Sequence, residues 1–122
     1  MPLDVKHIGV IGAGQMGSGI AQVCAQSGYA VKLSDIDAAA LGKSVEGIYA
    51  QLQRQVSRDR LTKDQLNQAM ENIETGTDYG LFSGCDLIIE AATENEPVKC
   101  AIFEELIPHL RDDALLARHL TL

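Results

Sequence analysis

Residues 7–19 read His-Ile-Gly-Val-Ile-Gly-Ala-Gly-Gln-Met-Gly-Ser-Gly, and this stretch decides the fold. The β-branched run before the turn is typical of a short buried strand, and a helical pattern begins at Gln15. Between them lies a G-x-G-x-x-G pattern, in which Gly12 permits a tight turn, Gly14 lets the backbone approach a pyrophosphate and Gly17 lets the helix pack on the strand. We therefore predict a dinucleotide-binding turn, with phosphates at the helix N-terminus.

An acidic residue, Asp35, follows the second predicted strand, 18 residues after Gly17. A carboxylate at this spacing accepts hydrogen bonds from the ribose hydroxyls of a dinucleotide, whereas the alternative interpretation is a turn or helix-capping aspartate. The same carboxylate would repel a 2′-phosphate, and residues 36–38 bring no cation to accept one. The sequence therefore favours NAD(H) over NADP(H) as the cofactor.

Strands and helices alternate along the rest of the chain. The patterns predict strands over 29–34, 73–77, 86–92 and from 114, and helices over 15–27, 38–58, 62–72 and 97–110. Apolar residues of the first helix recur at helical spacing: Met16, Ile20, Val23 and Cys24. This alternation predicts an α/β fold, a Rossmann-type doubly wound parallel sheet with helices on both faces.

Several residues mark where the predicted helices begin and end. Asp37 and Thr62 stand where N-caps belong, because their side chains can accept from first-turn amides. Pro108 lies too late for a first-turn position and should end or kink the last helix. Two glycines, Gly42 and Gly47, each weaken the long helix by roughly 1 kcal/mol relative to alanine.

Length and composition indicate one domain over residues 1–122 in a globular chain. The sequence is 46% hydrophobic with a net charge of −7, so nucleic acid is a poor partner for its surface. No apolar run approaches the ~18 residues of a membrane span, and the N-terminus has no secretory pattern. Three cysteines without a C-x-x-C pattern predict neither a disulfide framework nor a metal site, and they favour the cytoplasm.

Basic residues concentrate in the predicted helical hairpin. Residues 43–63 hold five cations against two acids, and these are Lys43, Arg54, Arg58, Arg60 and Lys63 against Glu46 and Asp59. One interpretation is an ordinary solvated helix surface. The other is a local site for an anionic ligand.

Residues 10–21 resemble the opening of the L-3-hydroxyacyl-CoA dehydrogenases, a family that includes the bacterial 3-hydroxybutyryl-CoA dehydrogenases. The resemblance covers roughly residues 7–117 and continues through Leu33-Ser34-Asp35, Lys43-Ser44, Gly47-Ile48, Leu52, Asp86 to Ala91, Glu94-Asn95 and Lys99. It implies an NAD-binding domain with a protruding helical hairpin at about 38–72. The C-terminal helical domain of the family would be absent, and the domain would be truncated in or after its fifth strand.

The resemblance implies roles for individual residues. Those expected to bind NAD are Gly12, Ala13, Gly14, Gln15, Met16, Gly17, Asp35, Ala91, Glu94 and Lys99. The hairpin would help to clamp coenzyme A, with Gln51 and Arg58 in contact with it. Alternatively, Glu94 is an acid favoured by the helix dipole, and Lys99 and Arg58 are solvated.

The resemblance fails at the end of the chain. After Leu116-Ala117 the family has a Thr/Ser-Asn-Thr-Ser-Ser run, whereas residues 118–122 read Arg-His-Leu-Thr-Leu. Thr121 falls where the first serine of that run contacts substrate and cofactor, and its hydroxyl could imitate that serine. The catalytic histidine, glutamate and asparagine of the family would lie beyond residue 122. None of His7, His109 and His119 is expected to serve as the general base.

We therefore expect the NAD-binding portion of an enzyme that interconverts (S)-3-hydroxyacyl-CoA and 3-oxoacyl-CoA by hydride transfer. No residue of the chain is expected to be catalytic, and the chain alone is expected to be inactive and to form homo-oligomers. An alternative is a non-catalytic dinucleotide-binding module or partner subunit. A third interpretation is a relative of the 3-hydroxyisobutyrate or 6-phosphogluconate dehydrogenases. Asp35 and the basic hairpin are evidence against this interpretation.

Overall fold

A five-stranded parallel sheet organises the chain. The computed structural model describes residues 5–92 and 96–118, and its strands lie in the order β3-β2-β1-β4-β5. Their bounds are β1 His7–Ile11, β2 Ala30–Ser34, β3 Ile73–Gly76, β4 Leu87–Glu90 and β5 Leu115–Arg118. Every neighbouring pair is parallel. The predicted doubly wound sheet is therefore confirmed, and its strand order reverses between β1 and β4.

Four α-helices connect the strands: α1 Gln15–Gln26, α2 Ala38–Ser57, α3 Lys63–Glu71 and α4 Glu96–Leu106. The predicted caps are confirmed. Asp37 Oδ1 accepts from Ala39 N at 2.9 Å, and Thr62 forms a reciprocal capping box with Gln65. Before Pro108, α4 ends and a 3₁₀ turn over Ile107–His109 follows. Within the described part of the chain, no helix has the length and apolar character needed to cross a membrane.

Helices α1, α2 and α3 cover one face of the sheet. The buried side chains there include Val10, Val31 and Leu33 from the strands, and Leu41, Ile48, Leu52, Leu66 and Ala69 from the helices. The predicted hairpin of α2 and α3 therefore packs its inner face into the core. Its tip, residues 58–60, is exposed.

The residues that α1 buries against the sheet are not its most apolar ones. Gly17, Ala21 and Ala25 are buried, whereas Met16 is 47% and Val23 is 63% exposed. Small residues let the helix axis approach the sheet closely, so they occupy the inner face. The helical spacing of the larger apolar residues thus predicted the helix correctly but did not identify the side that faces the core.

The opposite face of the sheet is covered by α4 and by a 3₁₀ turn over Tyr79–Phe82, which the sequence did not predict. Its core consists of Ile11, Phe82, Cys85, Ile88 and Leu106. Phe82 packs against β1 where Gly9 has no side chain. A Cβ at Gly9 would lie 2.5 Å from Phe82 Cδ1, so glycine is required for this packing.

Asp86 joins three elements at the amino ends of the strands. Its Oδ2 accepts from the amides of Lys6 and His7 at 2.8 Å, and its Oδ1 lies 2.7 Å from Arg111 Nη2. The two backbone hydrogen bonds, with a further contribution from Arg111, lower the pKa of Asp86 to about 2. The imidazole of His7 lies 3.6 Å from the same carboxylate, at the end of β1 opposite to the glycine turn.

Candidate functional site

The glycine turn between β1 and α1 is too tightly packed for a side chain at two of its three glycines. Gly12 has φ +104°, and a Cβ there would lie 2.7 Å from Ala92 Cα. A Cβ at Gly17 would lie 1.7 Å from the carbonyl oxygen of Gly12. By contrast, nothing lies within 4 Å of a Cβ position at Gly14. Two glycines thus close the turn, and the third keeps open the space where the backbone can approach a phosphate.

Asp35 lies directly beyond β2 and bridges two loops. Its Oδ2 accepts from the amide of Ala13 at 2.8 Å, and its Oδ1 accepts from the amide of Asp37 at 2.9 Å. A carboxylate offers about four acceptor positions, and these two bonds occupy two of them. The remaining positions can accept from ribose hydroxyls, so the carboxylate can serve the turn and a ligand together.

Two serines support the turn from the helix side. Ser18 Oγ donates to the carbonyl of Ala13 at 3.2 Å and lies 2.5 Å from the hydroxyl oxygen of Ser44. Because Ser44 is buried on α2, this contact connects the second helix to the turn. The sequence analysis gave neither serine a role at the turn, since a pair 26 residues apart leaves no local pattern.

A cleft of about 430 Å³ opens along the carboxyl ends of β1, β2 and β4. Its lining combines the glycine turn, one carboxylate and apolar side chains: Ile11, Gly12, Gly14, Ser34, Asp35, Ile36, Tyr79, Ala91, Ala92, Val98 and Ile102. This is the position where doubly wound sheets bind their ligands, because the crossovers diverge there.

Glu90 ends β4 beneath the cleft and is fully buried. Its Oε2 accepts from the amide of Ala92 at 2.5 Å, and this holds the backbone against which Gly12 packs. The sequence analysis treated Glu90 only as part of a strand. The sequence did contain a signal for this contact, because Glu90 directly follows the apolar residues 87–89 of a buried strand. A buried acid must have a polar partner.

The structure brings some of the predicted cofactor residues together. Gly12, Gly14, Asp35 and Ala91 line the cleft, and Ala13 lies behind it with its amide on Asp35. Gln15 and Met16 begin α1, but their side chains line a separate groove on its outer side, together with Gly19, Ile20, Val23 and Cys24. Only their backbone amides, in the first helical turn, remain suited to a phosphate.

Other predicted site residues are not brought to the cleft. Gln51 and Arg58 are exposed on α2 and at its C-cap. The neighbouring Gln55 bonds to Gln26 at the far end of α1, at 2.9 Å, so this half of α2 lies away from the glycine turn. Glu94 and Thr121 lie outside the described residues, as does the side chain of Lys99 on α4. Their roles stay predictions.

The reversal of strand order, the open glycine turn and the carboxylate after β2 together define a dinucleotide-binding domain of the Rossmann type. The family model for the 3-hydroxyacyl-CoA dehydrogenase NAD-binding domain matches residues 7–119. The chain belongs to the 3-hydroxyacyl-CoA dehydrogenase family, and NAD is the cofactor of this domain. The residues described above fit NAD, since they offer a phosphate cradle and an acceptor for ribose.

Similar proteins carry the same domain. The chain is 42% identical over 117 residues to a 3-hydroxybutyryl-CoA dehydrogenase of Bradyrhizobium diazoefficiens, covering 96% of this chain and 40% of that protein. The structure of (S)-3-hydroxybutyryl-CoA dehydrogenase from Ralstonia eutropha superposes with a TM-score of 0.91 at 34% identity, over 94% of this chain and 41% of that one. The Escherichia coli 3-hydroxybutyryl-CoA dehydrogenase gives a TM-score of 0.94 at 38% identity, over 97% and 25%. The chain thus spans less than half of these relatives.

Proposed function

We propose that this chain is the NAD-binding portion of an NAD-dependent dehydrogenase that interconverts 3-hydroxyacyl-CoA and 3-oxoacyl-CoA. The observation that carries the proposal is the position of Asp35, which the amides of Ala13 and Asp37 hold beside the open space over Gly14. That arrangement offers a pyrophosphate and a ribose diol the groups they need at adjoining positions.

NAD supplies the hydride acceptor in such a reaction, and the residues of this chain bind and orient it. First-turn amides of α1 receive the phosphates, because a helix N-terminus carries a partial positive charge. Asp35 holds the ribose and excludes a 2′-phosphate by charge repulsion. Ala91, Glu94 and Lys99 are proposed to border the cofactor farther along, towards its nicotinamide half.

The substrate side belongs to the same proposal. We propose an acyl-CoA substrate, with Gln51 and Arg58 of the hairpin in contact with coenzyme A and with Thr121 near the reacting end. A guanidinium such as that of Arg58 is well suited to a phosphate of coenzyme A. We also propose a homo-oligomer located in the cytoplasm, in keeping with the cysteine content of the sequence.

Proton transfer requires a base beside the hydroxyl that is oxidised. Among the described residues, His7 lies on Asp86 at the amino end of β1, away from the cleft. His109 does not line the cleft but a second cavity, together with Tyr79 and Glu105. We therefore expect these 122 residues to bind NADH but not to oxidise it with acetoacetyl-CoA, as an absorbance assay would show. Sustained NADH oxidation in proportion to this chain would contradict the expectation.

Calorimetric titration with NADH tests cofactor binding directly. Asp35→Ala should weaken binding by roughly 1.5–3 kcal/mol, the range for hydrogen bonds to a charged group. Gly14→Val should abolish it, because a side chain would occupy the space over the turn. Asp112→Asn, an exposed acid outside the cleft, is the matched control and should bind as the wild type does.

The proposal also predicts that NADPH binds more weakly than NADH and that Asp35→Ala narrows this difference. Equal affinity of the wild type and Asp35→Ala for NADH, with both proteins folded by circular dichroism, would remove the basis of the proposal.

A further inference from the structure

Neither the G-x-G-x-x-G motif nor the family resemblance gives Tyr79 a role. It begins the 3₁₀ turn over Tyr79–Phe82, three residues after β3 ends at Gly76. Its ring stacks on that of Phe82, with a centroid separation of 6.3 Å and an interplanar angle of 28°. Because Phe82 is fully buried, the core fixes the orientation of the Tyr79 ring.

Tyr79 lines two cavities. One is the cleft of about 430 Å³, whose lining also includes Ile36 of the β2–α2 loop and Val98 and Ile102 of α4. The other is a cavity of about 590 Å³, which Ile36 and Glu105 also line. A flat ring that extends beyond Asp35 would therefore meet an aromatic surface and have room for its far edge.

Ile36 is the second unusual feature of this region. It follows Asp35 directly, and 89% of its surface is exposed, the largest exposure among the described large apolar residues. An apolar side chain at the mouth of a cleft is well placed to be covered by a ligand. Ile36 and Tyr79 are thus both available to a ligand group in either cavity, because both residues line both of them.

The charge of the phenol suits a stacking role. Burial, and then the carboxylates of Glu105, Asp35 and Glu90, raise the pKa of Tyr79 above its ordinary value. The phenol is consequently neutral over the whole physiological pH range, and its ring can stack on a neutral base.

We propose that Tyr79 contacts the adenine ring of NAD, which lies against the phenol and is covered by Ile36. The inference rests on the proposed function, because the ribose on Asp35 determines where its base extends. A base joined to that ribose extends from the carboxylate into the same cleft, whose lining includes Tyr79 and Ile36. The contact supplies affinity for the adenine half through stacking, independently of the glycine turn.

Nuclear magnetic resonance tests the contact directly, since the chain is small and has three tyrosines. In the complex with NADH, the ring protons of Tyr79 should show intermolecular nuclear Overhauser effects to adenine H2 or H8. Tyr29 and Tyr49 should show none. Adenine effects that come from another residue and not from Tyr79 would overturn the inference.

Variants give an independent measurement by calorimetry with NADH. Tyr79→Ala should weaken binding roughly 5- to 30-fold, within the range seen when a ring that stacks on a base is removed. Tyr79→Phe should rescue affinity to within about threefold, because it keeps the aromatic face. Tyr49→Ala removes a part-exposed tyrosine of α2 outside the cleft and is the matched control.

Two failures remain distinguishable. If the wild type binds NADH and a folded Tyr79→Ala binds it equally well, only this inference is overturned. If the wild type binds no NADH, the proposed function fails and the inference fails with it. Circular dichroism of each variant identifies loss of folding, and Tyr79→Phe together with the Overhauser measurement decides the question if Tyr79→Ala does not fold.

Discussion

At the scale of single residues, the missing side chain of Gly9 determines how the sheet packs. Gly9 lies in the middle of the central strand, where any Cβ would meet the ring of Phe82 and approach Cys85 Sγ to 3.3 Å. The same packing buries the Cys85 thiol, and this burial is the main cause that raises its pKa to about 11. Gly9 is therefore a core residue, although it contributes no side chain.

We predict that Gly9→Ala destabilises the fold by about 1–3 kcal/mol, the usual cost of overpacking a core. The measurement is the free energy of unfolding in urea. Gly42→Ala is the matched control, because Gly42 is exposed on α2 and has nothing within 4 Å of a Cβ position. That control should gain about 0.5–1 kcal/mol from helix propensity. An unchanged stability of Gly9→Ala would mean that Phe82 can move aside.

The roles of residues that belong to a local sequence pattern were predictable. The roles of residues that depend on contacts between distant segments of the chain were not. Gly12, Gly17 and Asp35 belong to one motif with fixed spacing, and Asp37 and Thr62 follow local capping rules. The contacts of Gly9 with Phe82, Ser18 with Ser44 and Tyr79 with the cleft join segments that are far apart in the chain. Only the folded chain brings such pairs together, so no local pattern records them.

At the scale of elements, Asp86 connects β1, the start of β4 and the loop before β5. The Asp86 carboxylate binds two amides and Arg111, and the amide of Leu115 donates to the Asp86 carbonyl at 2.9 Å. One residue thus aligns three neighbouring strands at the end of the sheet opposite to the cleft. The alignment of their carboxyl ends, where the proposed NAD site lies, depends on that register.

The low pKa of Asp86, about 2 in the folded chain against an ordinary value of 3.8, fixes the pH dependence of this connection. The Asp86 carboxyl group binds its proton less tightly in the folded state than in the unfolded state. The contribution of the Asp86 carboxylate to stability is therefore complete above the ordinary pKa and is lost as the pH falls towards 2. Asp86→Asn should cost roughly 1.5–3 kcal/mol near neutral pH, and the difference should shrink in acid. Urea unfolding near neutral pH and near pH 2 measures it, with Asp112→Asn as control. A difference that is the same at both pH values would contradict the assignment.

The sequence predicted each strand and α-helix of the described residues to within a few positions, because the hydrophobic periods of strands and helices differ clearly. It did not predict the 3₁₀ turn over Tyr79–Phe82, since four residues are too few to show a period. It also did not identify the buried side of α1. Spacing defines an apolar stripe but does not show that the small residues Gly17, Ala21 and Ala25 are the ones to face the sheet.

At the scale of the whole molecule, two groups of exposed apolar residues are candidates for association. Met16 and Val23 are exposed along α1, and Leu115 and Leu116 of the edge strand β5 are 39% and 40% exposed. An edge strand with apolar side chains is a ready surface for association.

We predict that the chain of 122 residues self-associates, and light scattering over a range of concentrations measures this. The double variant Met16→Gln, Val23→Lys should shift the protein towards the monomer, because it places polar groups on the exposed side of α1. Tyr49→Ser, which also removes an exposed apolar group but on α2, should leave association unchanged. A wild type that stays monomeric at high concentration would show that these surfaces are tolerated in water.

The bridge that Asp35 makes between the amides of Ala13 and Asp37 has a consequence for the kinetics and entropy of association. The acidic side chain and both loops are already immobilised by folding, so little rotamer freedom is left to lose when a dinucleotide arrives. Encounter can then proceed on a nearly rigid surface, and differences in affinity between dinucleotides should appear in how fast they leave and not in how fast they arrive.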